Sequence, residues 1–524
     1  MNQIEVRQTG ENREGKRKPL TKEEQRRVQQ LLDNAEAGSS ALDSASRVVA
    51  CTELAKAYQS SNKKKATELL ETALTTTRDL QFESANPGLN DRLRRQLEQR
   101  VVRDFAALAP ERLADLMEEI PSDVRPLALE QLIPYYGKTK QLHRANDLLM
   151  RTAQESEMPY GTASALMSLY PKDSDEVRSL FLASLASYQA HDHGSLRSND
   201  DFPDMIAKFH QKLPPALLKQ AADEVLAQAK KADEKSEGSN IALASNKGAV
   251  SFNSVYDFRL FQLLPTLQRI DPKAAESLMK ERQDVNTLAS KYPDGMDSLK
   301  SDEGQGSGNM MMSVGMGSGG GPRGGPQGPS PMEMQRMAQV TEDAQKHPQD
   351  ALANAASLGP EAGIHAYLSI ARATQKSDPS AARTALSKAS VLVEKVALEQ
   401  QLISSQTITD LYLKMGENEK AKDSLDQALS IAERLYKKDT DADDPNLAPK
   451  AFWASTNGYR SILSSAGKLD PAWATNLLKD VPDDGIRVFN QIAMANAISG
   501  AGGEGFQIIT ATKNGVQMTF MNGN

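Results

Sequence analysis

The stretch Ile408–Leu435, ITDLYLKMGENEKAKDSLDQALSIAERL, constrains the fold more tightly than any other part of the chain. Ile408, Leu411, Tyr412 and Met415 recur at helical spacing and form one apolar stripe. Gly416 follows directly and can take the left-handed conformation that ends a helix. Glu417 and Glu419 fall in the first turn of the next helix, where acids favour the exposed amides. In that helix Ala421, Leu425, Ala428 and Leu429 share a face, and small alanines let two helices approach closely. Lys420, Lys422, Asp423 and Asp426 belong to a solvated face. The stretch predicts two helices folded back on each other around Gly416.

Looser copies of this unit recur. Arg47–Leu80 carries Leu54, Ala55 and Tyr58, a polar turn, then Ala66, Leu70 and Ala73. Leu127–Ala153 and Ile364–Val396 carry related sets, the latter with Ala382, Leu386 and Ala389. Self-similarity at a helix-pair period marks a solenoid. Asp271-Pro272, Asp378-Pro379 and Asp470-Pro471 each open an apolar helical pattern, with Ala275, Ala382 and Ala474 three positions after the proline. Asp is a favoured N-cap and Pro a favoured first helical residue. Thr21 with Glu24 makes a capping box that starts the first helix.

Tyr412, Gly416, Ala421, Leu425, Ala428 and Leu429, in that order and spacing, resemble the tetratricopeptide repeat family. Ser405 and Thr409 stand where the family prefers a large aromatic and a small residue, and Glu433 where it often has proline. The resemblance implies an all-α fold of antiparallel helix-pair repeats, an αα-solenoid. It also implies that the first helix of each pair lines a groove for a protein or peptide, which places partner-binding positions at Gln406, Asp410, Leu413 and Lys414. These four do not form the Lys/Asn clamp that some members use for a C-terminal carboxylate.

The expected division is a disordered tail at 1–20, a helical array at 21–300, a Gly/Met/Pro-rich linker at 301–332, a second array at 333–500 and a β-hairpin tail at 501–524. The linker, with Met310, Met311, Met312 and Met316 among glycines, shows no core pattern. Two segments of the first array, around 190–204 and 232–248, read as long loops. In the tail, two β-rich runs flank Asn514-Gly515, a strong hairpin signal. Alternation there gathers Phe506, Ile508, Val516, Met518 and Phe520 on one face, expected to pack on the helix containing Ile486–Ile498.

Few features point to chemistry. Gly315, Gly317 and Gly320 satisfy G-x-G-x-x-G, but a dinucleotide site needs a strand before the motif and a helix after it. The Met cluster could attract a soft ion such as Cu(I), yet no His or Cys flanks it. His191 and His193 sit beside Asp192, Asp200, Asp201 and Asp204 without the spacing of a metal or hydrolytic motif. Cys51 is the single cysteine and reads as a buried structural thiol. Trp453 and Trp473 lie in apolar helical patterns and read as packing residues. A net charge of -7 argues against a general nucleic-acid binder. No apolar run is long enough to cross a bilayer, and the N-terminus has no apolar signal core.

These readings converge on a soluble, non-enzymatic scaffold that binds protein or peptide, without nucleic acid, membrane insertion, metal or cofactor. The competing expectation is a helical enzyme, or a small-molecule or metal-binding protein, with a pocket rimmed by the 190–204 loop. The expected compartment is the cytoplasm, or an exported location if a signal preceded this sequence.

Overall fold

The computed structural model describes residues 20–80, 87–172, 174–191, 202–235, 239–245, 248–299, 311–316, 331–440, 449–500, 507–512 and 515–520. Helices dominate, and the class is all-α. The chain divides into two compact units. One holds Pro110–Pro322, and the other joins Arg17–Ala109 to Arg323–Asn524. This redraws the expected boundary at the Gly/Met linker, because residues 17–109 group with the C-terminal part and not with 110–300. Of the expected tail 1–20 and linker 301–332, residues 1–19, 301–310 and 317–330 lie outside the described residues.

In the unit containing both chain ends, neighbouring helices pack as pairs. Pro360–Thr374 lies on Pro379–Val393, Leu398–Lys414 on Asn418–Asp439, and Ser44–Tyr58 on Lys63–Arg78. Gly416 adopts φ 74°, and Glu417 N–H donates to Tyr412 O at 2.9 Å, closing the first helix of its pair. A Cβ at Gly416 would meet nothing within 4 Å, so the left-handed turn alone requires glycine there. Ala421 and Ala428 are fully buried and Leu425 nearly so. Leu429 and Lys422 are half-buried; the Lys422 ammonium sits 5.9 Å from the centre of the Trp473 ring, so it is less solvated than the sequence suggests.

Ser405 and Thr409, the departures from the repeat pattern, have a role of their own. Both are fully buried. The Thr409 and Ser424 hydroxyls donate to Ser405 O at 2.9 and 3.2 Å, which ties the two helices together where larger side chains would hold them apart. All three Asp-Pro signals act as caps. Asp271 accepts from Ala274 N–H at 3.1 Å, Asp378 from Ala381 N–H at 3.0 Å, and Asp470 from Ala472 and Trp473 N–H at 3.0 and 3.1 Å. Thr21 and Glu24 form the capping box.

In the unit Pro110–Pro322, helices from Pro110–Asp115 to Gln283–Lys291 are joined by a small antiparallel sheet that the sequence reading missed. Strands β1 (Ser239–Ser245), β2 (Gly248–Phe252) and β3 (Met311–Met316) lie in the order β2-β1-β3. Ile241, Leu243, Val250 and Phe252 are buried. Phe252 meets Phe258 and Phe261 at ring-centroid distances of 5.6 and 5.3 Å, so the sheet is seated on the helix Val255–Ile270. The alternation I-A-L at 241–243 is the period-2 signal that a loop reading of 232–248 passed over, and V-S-F at 250–252 repeats it just beyond that segment. Part of the expected linker is therefore an edge strand, with Met312 opposite Leu243 and Val314 opposite Ile241.

Near the C-terminus, strands β4 (Gln507–Thr512) and β5 (Gly515–Phe520) pair antiparallel, with Thr512 opposite Gly515. The expected turn at Asn514-Gly515 would instead set Lys513 opposite Val516, so the register is shifted by one residue; residues 513 and 514 lie outside the described residues. A one-residue shift flips a strand's faces. Ile508 consequently stands opposite Thr519, and Met518 opposite Ile509, so the expected apolar face is broken up. The helical neighbours of β4 are Ala454–Leu469 and Lys450–Phe452, in place of the expected helix containing Ile486–Ile498.

Candidate functional site

The feature most informative for function is the seam between the first and last described helices, Lys22–Ser39 and Asp484–Ser499. Leu31, Leu32 and Ala35 are buried on the first, and Ile486, Val488, Phe489 and Ile492 on the last. Each large side chain so buried contributes about 1.5–3 kcal/mol. The approach is close, since a Cβ on Gly38 would stand 2.7 Å from Val488 Cγ2. Tyr58 donates to Asp33 at 2.9 Å and fixes the helix Ser44–Tyr58 behind the seam.

A charge network underlies it. Glu53 is 7% exposed and pairs with Arg460 and with Arg100, at 2.5 and 2.9 Å. Burial is the strongest influence on the Glu53 carboxyl and opposes its ionisation. The Arg460 and Arg100 guanidiniums together outweigh it and hold the group below the usual carboxylate range. Arg460 also faces the Phe489 ring at 5.6 Å, and Lys56 pairs with Asp104 at 2.8 Å. Ser46 Oγ accepts from Ala451 N–H at 2.9 Å, and Lys450 pairs with Asp483 at 2.7 Å. These contacts join sequence-distant elements, and each charged group in them has its partner.

Beside the seam lies an open cleft of about 630 Å³. The first helix contributes Arg27, Gln30 and Asn34; Pro471–Leu477 and the last helix contribute Asn476, Arg487 and Gln491, with Lys479 between them. Leu31 and Leu478 are buried along its apolar part. Arg27 pairs with Glu23 at 3.3 Å, and Arg487 pairs with Asp484 and donates to Val481 O at 2.9 Å. Lys479 donates to Asn476 Oδ1 at 3.1 Å. The cleft can therefore offer cationic and amide groups to an anionic or polar ligand. Sequence reading missed it because its residues come from the two ends of the chain, and none belongs to a motif.

The sequence-predicted positions scatter. Gln406 is buried at 7% exposure, Leu413 is half-buried, and Asp410 and Lys414 are exposed one turn apart. Gln406 thus cannot meet a partner from solvent without a rearrangement. His191 is exposed, with Nδ1 2.8 Å from Ser187 O. Asp204 accepts from Gln262 Nε2 at 2.9 Å. Asp192, His193, Asp200 and Asp201 lie outside the described residues, as do Met310, Gly317 and Gly320. Gly315 lies in β3, whose partner is antiparallel, whereas the dinucleotide motif belongs to a parallel strand–helix–strand unit. Among the described residues no three His, Cys, Asp or Glu side chains come together as a metal-ligand set. Cys51 is buried, and burial pushes its thiol up to about 11. Trp453 and Trp473 are half-buried, the former near the Tyr436 ring at 6.3 Å. Among the described residues no helix is long and apolar enough to cross a membrane.

No protein-family model matches the chain, and a search of curated proteins finds no match.

Proposed function

We propose that the protein is a non-enzymatic helical-repeat scaffold that binds protein or peptide partners, with its helix pairs arranged as an αα-solenoid similar to tetratricopeptide arrays. The observation that carries this reading is the reuse of one packing pattern. Ala66–Leu70–Ala73, Ala382–Leu386–Ala389 and Ala421–Leu425–Ala428 are each buried to 3% exposure or less, at the same spacing in three helix pairs. Repeated pairs of this kind build extended surfaces, on which exposed residues such as Asp410 and Lys414 serve as contacts. In the same reading β4 and β5 act as a terminal cap over apolar surface that an end repeat leaves uncovered.

The test is site-specific photo-crosslinking in the full chain, with the photoreactive residue at Asp410, at Lys414 and, as control, at exposed Lys230. Crosslinked polypeptides of discrete mass from the first two positions and not the third support the scaffold. A small molecule co-purifying in native mass spectrometry, with no polypeptide crosslinked at either position, overturns it.

A further inference from the structure

We infer that the cleft beside the terminal seam binds an extended acidic peptide, a short run of Asp or Glu on a partner protein. The inference rests on the scaffold reading and names the chemistry of one partner.

Charge comes first. Arg27, Lys479 and Arg487 line the cleft, and no carboxylate is among its lining residues. The chain as a whole has 69 acidic against 62 basic residues, so a three-cation lining runs against its average. The acids that pair with two of these cations lie outside the lining. Glu23 and Asp484 have side chains 84% and 92% exposed. A ligand carboxylate can replace such solvated partners at small cost, because exposed pairs contribute only about 0–1 kcal/mol. The Lys479 ammonium meets only a neutral amide oxygen, at 3.1 Å, among the described residues.

Hydrogen-bonding capacity then separates a peptide from a simple anion. Asn34, Asn476 and Gln491 line the cleft together with the cations. Each side-chain amide both donates and accepts, which matches a peptide backbone that also does both. A free phosphate offers mainly acceptors and would leave the amide oxygens unused. The cleft is open, so a chain can lie in it, with its backbone on the amides and its carboxylates on Arg27, Lys479 and Arg487. Leu31 and Leu478 give it an apolar floor for the intervening methylenes.

The experiment measures fluorescence anisotropy of a fluorescein-labelled Glu hexapeptide on the full chain at low ionic strength, beside a Gln hexapeptide. The Glu probe should bind and the Gln probe should not. Lys479→Glu should weaken the Glu probe about tenfold, equivalent to ~1.4 kcal/mol. Arg27→Glu should act in the same direction, and Lys230→Glu should change nothing. If Lys479→Glu alters the melting curve, Lys479→Gln serves instead and should weaken binding about threefold by the same arithmetic. Equal affinity in wild type and Lys479→Gln, or equal binding of the two probes, overturns the inference. So does an excess of inorganic phosphate that occupies the cleft while neither peptide saturates. Failure of the Glu probe with intact crosslinking at Asp410 and Lys414 removes this assignment alone; loss of both removes the scaffold reading.

Discussion

The helix pair Leu398–Lys414/Asn418–Asp439 and the seam Lys22–Ser39/Asp484–Ser499 bury the same kinds of side chain, yet they are specified differently. The pair closes through one left-handed glycine, and its partners are sequence neighbours. Its polar bridge is neutral, made of Thr409, Ser424 and Ser405 O. The seam joins chain segments whose supporting ion pair, Glu53–Arg460, spans 407 residues. No turn sets its register. A displaced seam would break the buried Glu53–Arg460 pair, and breaking a buried ion pair costs several kcal/mol. Local pairs can thus be selected by small residues and a turn, while a remote junction needs groups whose mispairing is costly.

The largest effect should follow removal of the seam's charge. Glu53→Ala leaves Arg460 buried without its carboxylate and should cost roughly 3–5 kcal/mol, read from urea unfolding of the full chain. A double-mutant cycle with Arg460→Ala should show strong coupling, and additive losses would mean that the pair does not hold the seam. The same group sets a pH dependence. Its folded pKa is depressed, so its contribution is present above the ordinary Glu range and is lost as pH falls through the lower folded value. Glu53→Gln should therefore flatten the acid limb of a stability–pH profile, below pH ~4, without steepening the alkaline limb.

Overpacking the local pair should cost less. Ala421→Trp drives an indole into a fully buried position, at about 1–3 kcal/mol. Lys422→Trp, at a half-buried position beside Trp473, should cost distinctly less. Equal midpoints in a thermal melt would refute the facing of this helix.

The two regions also use glycine differently. Gly38→Ala brings a methyl against Val488, whereas Gly416→Ala meets no neighbour and suffers only from its positive φ. Each should cost on the order of 1 kcal/mol. The distinction lies in rescue: a double-mutant cycle should show coupling of Gly38→Ala to Val488→Ala, and none of Gly416→Ala to any side chain. Asn, which tolerates the left-handed region, should partly replace Gly416 but not Gly38.

The smallest effect concerns Cys51, which lies on the helix behind the seam. Alkylation by iodoacetamide at neutral pH should be slow in the native protein, because the thiol is buried and its pKa raised. It should accelerate in Glu53→Ala if opening of the seam exposes this helix. An equal rate in both proteins would show that the helix stays covered when the seam loosens.

The helix pairs, their caps and the turn at Gly416 were legible because each depends on residues within one or two turns of each other. Asp378 caps the helix that Pro379 begins, and Ala421, Leu425 and Ala428 repeat at the helical period whatever lies opposite. Strands were less legible. Ile241 and Leu243 alternate as a strand should, but the partner strand Met311–Met316 lies some 70 residues on, amid glycines that mask its pattern. At the C-terminus Thr512 stands opposite Gly515, one residue off the register that the Asn514-Gly515 signal suggests. The seam, its ion pairs and the cleft beside it were decided by tertiary structure alone. Residues 27, 479 and 487 share no period or motif. Only the burial of two terminal helix faces against each other brings them together, and hydrophobic burial is non-directional, so the sequence shows that each face must be covered but not by which partner.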